Sequence, residues 1–319
     1  HLFEHMMFQG SENVGKSEHF ILIETNGGQM NGTTNEERTL YFETLPKNQL
    51  DLMLYLEAER MRGLDISKEN LDNQRQAVQE ERRLRLDNQP YGKMSEKFGE
   101  TLYDNFAYKH SVIGSMEDLN AASVEDVREF FRVYYAPNNA VLALVGDFKT
   151  DQALARVKTY FESIPSQPAP SRVDVAEPEQ TSERRFTIDD QLARLPLLNI
   201  AYKGYGGGGA DVYALQVLGT VLGGGQSSRL YQKLVRDSQL ALSANSFAGM
   251  RRGPGAFRIS ATIAPNKKYE DVEAAIYEEI ARLQKEPIAD WELEKAKQAA
   301  RRGAVGSRQS SLGLAINIS

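Results

Sequence analysis

No cysteine occurs among the 319 residues, so disulfides and thiolate metal sites are both excluded. Any metal has to be held by His, Asp and Glu. The missing cysteines do not by themselves fix a compartment. No apolar run approaches the roughly 18 residues needed to span a bilayer. Positive charge is not in excess either. The formal net charge is −6, which argues against a basic face built for nucleic acid or anionic lipid. What is present is ordinary for a folded chain: 41% hydrophobic and 26% charged residues, with enough length for one large domain or two of usual size. The first residue is His, no signal region is visible, and the chain reads as a piece of a longer polypeptide.

Punctuation by glycine and proline divides the sequence. His1 to Phe8 suits a short helix, and Lys16 to Thr25 a second, stopped by Asn26-Gly27-Gly28. Met30 to Leu45 reads as two short strands, the second rich in β-branched and aromatic residues from Thr39 to Leu45. Pro46 opens a helix with Leu50, Leu52, Met53, Leu56 and Met61 at helical spacing. Asn70 to Asp87 predicts a long polar helix ending at Asn88-Gln89-Pro90-Tyr91-Gly92. Ser123-x-x-Asp126 caps another, and Ala140 to Val145 predicts a buried strand. Pro165 to Ser182, with Pro165, Pro168, Pro170 and Pro178 and no apolar period, is a linker. Beyond it come a strand (Leu195 to Tyr202), a turn (Gly204 to Gly209), helices (Asp211 to Leu222 and Ser227 to Arg236), a strand (Ala256 to Ile263) and a helix (Tyr269 to Lys285). A similar succession on both sides predicts an α+β protein of two similar halves: residues 1–163, a linker over 164–184, and residues 185–319.

His1-Leu2-Phe3-Glu4-His5 carries the chemistry. Residues four apart on a helix lie one above the other, so His1 and His5 can grip one ion. Glu4 on the adjoining edge can take a proton from water that a zinc ion has acidified. A catalytic zinc needs a third protein ligand. The remaining histidines are His19 and His110, which makes a carboxylate the better candidate, and Glu80 and Glu81 on the polar helix both offer one. Gly204 to Gly209 is no phosphate loop: no Lys-Ser/Thr follows, and Asp211 would repel phosphate.

The inverted His-x-x-Glu-His order is a zinc-peptidase signature. With its surroundings it resembles the M16 family of pitrilysin, insulysin and mitochondrial processing peptidase, and most of all its bacterial members. The resemblance rests on several blocks in order: His1 to Ser11; Gly27-Gly28-x-x-Asn31-Gly32-Thr33-Thr34 with Thr39-x-Tyr41-Phe42; Arg75-x-x-Val78-x-x-Glu81 followed by Asn88 to Gly92; Ile113-Gly114-Ser115; Tyr134-Tyr135-x-Pro137-x-Asn139; Val145-Gly146-Asp147; and Gly223 to Tyr231.

The resemblance implies mainly antiparallel sheets covered by helices, the LuxS/MPP-like metallohydrolase fold. It implies one Zn2+ per chain on His1, His5 and Glu81, the last preferred to Glu80 by the Val-x-x-Glu spacing from Val78. It makes Glu4 the general base and Gln74 the supporting residue, where the family often has a glutamate. Asn31, Gly32, Thr33 and Thr34 would lie on the edge strand that pairs with a peptide substrate. Family members draw an Arg and a Tyr from a second homologous half. Val235 to Ser243 holds Arg236 but no Tyr at the matching place, so a partner half, in cis or in trans, is expected to supply these groups. The expected activity is zinc-dependent endoproteolysis of peptides or unfolded segments, the alternative a non-catalytic scaffold subunit. The compartment stays open: the resemblance to bacterial members, which are often exported, is compatible with the periplasm, and these residues hold no signal for it.

Overall fold

A computed structural model describes residues 1–204 and 206–319; Tyr205, within the predicted glycine-rich turn, lies outside the described residues. The chain forms two compact units, one of His1–Leu84, Ser111–Val173 and Val305–Ser319, the other of Arg85–His110 and Asp174–Ala304. Residues 165–189 contain no helix or strand. Both units mix helices with small antiparallel sheets, an α+β architecture. No helix among the described residues is long and apolar enough to cross a membrane.

The first unit begins with α1 (Leu2–Met6), α2 (Glu18–Thr25), β1 (Gln29–Thr34), β2 (Thr39–Thr44), α3 (Leu50–Gly63) and α4 (Lys68–Arg82). Gly27 ends α2 with φ +77°, a conformation that favours glycine. Gly28 then passes so close to Ile23, Leu45 and the Thr44 carbonyl that an added Cβ would meet each at 2.8 Å. β1 and β2 form an antiparallel hairpin in register from Gln29↔Thr44 to Thr34↔Thr39. Its turn is held by Asn35, whose side-chain oxygen accepts from the amides of Glu37 and Arg38, both at 2.9 Å. The other edge of β1 pairs with no strand among the described residues. Ser67 caps α4 by accepting from the Asn70 amide, and Ser123 with Asp126 forms a capping box on the helix Val124–Tyr134. Phe3, Met6, Met7, Ile66, Leu71 and Val127 pack into one core, with Tyr135 and Phe131 against it.

Ala140 to Val145 departs from expectation. The segment joins no sheet among the described residues, and Val141 and Leu142 are 76% and 49% exposed. Apolar composition favours extended backbone, but a strand exists only where a neighbour accepts its ladder of hydrogen bonds.

In the second unit β3 (Leu197–Lys203), β4 (Ala241–Gly249) and β5 (Ala256–Ile263) form an antiparallel sheet in the order β3-β5-β4. Leu222, Leu230, Leu234, Ile259, Ile263 and Ile276 fill its core between the sheet and the helices Asp211–Gly223 and Tyr269–Lys285. β4 is an addition to the strands read from the sequence. Its inward residues include Ala241, Ala244 and Ser246, which are small and carry little strand signal.

Candidate metal centre

Phe3, Met6 and Met7 are buried, and they fix α1 in the first core. His1, Glu4 and His5, spaced three and four apart, then share the adjacent face. α4 answers with a stripe of its own. Leu71, Gln74, Val78 and Glu81 recur at helical spacing, Leu71 and Val78 are fully buried, and α1 packs on α4. The apolar pair therefore sets where the polar pair points.

Glu81 Oε2 lies 3.5 Å from His1 Nε2 and 3.2 Å from His5 Nε2. One donor atom from each of the three residues falls within 4.8 Å of the others. Glu80 is turned outward, half-exposed, and pairs with Arg83 at 3.0 Å. Gln74 decides the His5 tautomer. Its amide nitrogen donates to Asn73 Oδ1 at 2.8 Å, which leaves its oxygen facing His5 Nδ1 at 3.2 Å. With Nδ1 donating to Gln74, the neutral His5 ring presents the lone pair of Nε2 toward Glu81. A lone pair and a carboxylate oxygen at that separation repel unless a proton or a metal ion sits between them. Zinc bonds to N and O of about 2.0–2.2 Å in a tetrahedron place neighbouring ligands roughly 3.3 Å apart, which the 3.2 and 3.5 Å separations fit.

Glu4 is buried, at 8% exposure, and β1 lies against it. Thr34 donates its hydroxyl to Glu4 Oε2 at 2.5 Å. At Gly32 an added Cβ would meet Glu4 Oε1 at 2.9 Å. Among the residues expected to take substrate, Asn31 and Thr33 are exposed while Gly32 and Thr34 face the Glu4 carboxylate. The pairing of Thr34 with Glu4 was not read from the sequence. The two-residue period of β1 places 32 and 34 on one face, but nothing local says which helix covers it. Arg236, the second-half arginine, is exposed and pairs with its neighbour Asp237 at 2.8 Å.

His19, set aside as a ligand, lies in a second buried cluster. Its Nε2 is 2.6 Å from Glu43 Oε1, and Glu57 completes a set that could geometrically surround an ion. Arg60 already supplies the positive charge there: its guanidinium bonds Glu57 through two nitrogens and stacks on Tyr41 at 4.5 Å. Burial, and then Arg60, pull the His19 imidazole down to about 4. Burial pushes Glu57 up to about 7 against the pull of Arg60, and Glu43 up as well. The cluster ties α2, β2 and α3 together as a charge-balanced core. His110, in the second unit, is exposed and bonds the Phe106 carbonyl.

Known proteins share this arrangement of sequence. The family described as Insulinase (Peptidase family M16) matches residues 1–115, and the one described as Peptidase M16 inactive domain matches residues 121–300. The zinc protease PqqE of Helicobacter pylori is 30% identical over 99% of this chain and 71% of its own length. A crystal structure of a protease from Helicobacter pylori superposes with a TM-score of 0.93 at 30% identity, covering 99% of this chain and 77% of that one. The M16 inactive domain from Pseudomonas fluorescens superposes at 0.82 with 19% identity, over 99% and 75% of the two chains, a likeness of fold. The chain belongs to the M16 peptidase family.

Proposed function

We propose that this chain is the zinc-bearing half of an endopeptidase that cleaves peptides or unfolded protein segments. The observation that carries the reading is the convergence of His1, His5 and Glu81, with the His5 lone pair held toward Glu81 by Gln74. Relatives named zinc proteases support it. His1, His5 and Glu81 would hold the ion, one per chain. Zinc, when bound, supplies Lewis-acid activation of water near neutral pH. Glu4 accepts the proton of the attacking water and later delivers it to the leaving amine. β1, whose other edge pairs with no strand among the described residues, takes an extended peptide by strand addition, with main-chain bonds that tolerate many sequences. A second M16-type half, in the same polypeptide or a separate subunit, contributes the Arg and Tyr that this chain does not place.

The test is zinc stoichiometry, and cleavage of an unstructured quenched peptide by the chain joined with its second half. We expect about one zinc in the unmodified protein, a large loss in Glu81→Gln, none in Glu80→Gln, and retained zinc without cleavage in Glu4→Gln. Full zinc in Glu81→Gln would move the third ligand elsewhere. Zinc-free unmodified protein would return the chain to the scaffold reading.

A further inference from the structure

β1 presents two consecutive inward positions to one carboxylate. Gly32 leaves the space in which Glu4 Oε1 sits, since an added Cβ would come within 2.9 Å of that oxygen and 3.0 Å of the Glu4 Cγ. Thr34, the next residue on the same face, donates its hydroxyl to Glu4 Oε2 at 2.5 Å. Across the hairpin Thr39 Oγ1 is 3.2 Å from Thr34 Oγ1. Thr34 has a single hydroxyl proton, so once it is given to Glu4 the Thr39 hydroxyl becomes its donor. The two threonines form a short chain aimed at the carboxylate. A hydroxyl bond to a charged acceptor is among the stronger ones, and it leaves one Glu4 oxygen committed and the other free.

From this geometry we infer that Thr34 is a positioning residue for Glu4, with Gly32 as the clearance that lets the carboxylate lie on the strand. The inference rests on the peptidase reading, and goes further in one respect. The strand offered to substrate on its outer edge also fixes the proton-transferring group through its inner face. Binding of an extended peptide on β1 and orientation of Glu4 are then coupled through a single rigid element. A base displaced by about 1 Å loses catalytic power out of proportion to the bond removed.

Two substitutions at one position separate positioning from mere structure. Thr34→Val keeps the shape and removes the hydroxyl, whereas Thr34→Ser keeps the hydroxyl. Metal-free crystals of both, together with zinc content, kcat and KM on the quenched peptide for the loaded proteins, give readings that do not depend on activity alone. The expected result is a Glu4 carboxylate swung off β1 in Thr34→Val and held in Thr34→Ser. Zinc content and KM should stay within about twofold in both. The kcat should fall between about tenfold and a hundredfold in Thr34→Val only. A Glu4 carboxylate that keeps its place in Thr34→Val overturns the inference whatever the activity. So does equal kcat in the unmodified protein and Thr34→Val, or an equal loss in Val and Ser. Unmodified protein that binds zinc but cleaves nothing even when joined with its second half would sink the peptidase reading instead; displacement of Glu4 in the Val crystals alone would then still support the Thr34 contact.

Discussion

Gln74 turns its amide oxygen to His5 Nδ1 at 3.2 Å while Asn73 holds its amide nitrogen at 2.8 Å. A neutral amide fixes the ring without lending it charge. Gln74→Leu should lower zinc affinity roughly ten- to a hundredfold, because the ring loses its tautomer and its orientation. Gln74→Glu should raise affinity, because a carboxylate makes the imidazole a stronger donor. Competition with a calibrated chelator measures both; equal affinity in all three proteins would remove Gln74 from the site.

The His19 and Glu57 cluster predicts an opposed pair of pH dependences. Unfolded His19 takes a proton near 6.5 and folded His19 refuses it until about 4. Its contribution is therefore present above 6.5 and lost as pH falls toward 4. Unfolded Glu57 gives up its proton near 4.5 and folded Glu57 keeps it to about 7. That contribution is present below 4.5 and lost as pH rises toward 7. The two oppose each other between 4.5 and 6.5. In that window, relative to the unmodified protein, His19→Gln should shift the slope of stability against pH downward and Glu57→Gln should shift it upward, with Glu43 adding the same fall to all three, each shift on the order of 1 kcal/mol per pH unit. Urea unfolding at several pH values reads the slopes, and parallel profiles would contradict the assignment.

Gly223 ends its helix against β4. An added Cβ there would lie 1.9 Å from the Ser246 amide nitrogen and 2.5 Å from the Asn245 carbonyl carbon. Those atoms are backbone of a paired strand and cannot step aside. Gly223→Ala should cost about 3 kcal/mol or more. Gly303, on the helix Asp290–Gly306 with nothing within 4 Å of an added Cβ, is the control. Gly303→Ala should gain roughly 0.5–1 kcal/mol from helix propensity. Thermal and urea midpoints of the two variants should move in opposite directions.

These sites differ in how far the sequence declares them. The stripe Leu71, Gln74, Val78, Glu81 is written in the chain, because helical spacing alone puts those four on one face. The same rule places His1 beside His5. Thr34 and Glu4 meet through tertiary packing of a strand on a helix thirty residues away, which no local period encodes. β4 was silent because its inward positions are alanine and serine, and Ala140 to Val145 spoke for a strand that its surroundings do not complete. Local pattern gave direction along each element; partners across elements came only from the assembled core.

Phe3, Met6 and Met7 hold α1 among Leu71 and Val127, so His1 and His5 meet Glu81 through the surrounding core. This is the reverse of a zinc finger, where the ion is the core and its removal unfolds the domain. Under the proposed function, an ion held in this way would be cargo. Scarcity of free zinc in the surroundings would silence the protein while leaving it folded, and a returning supply would restart it without new synthesis.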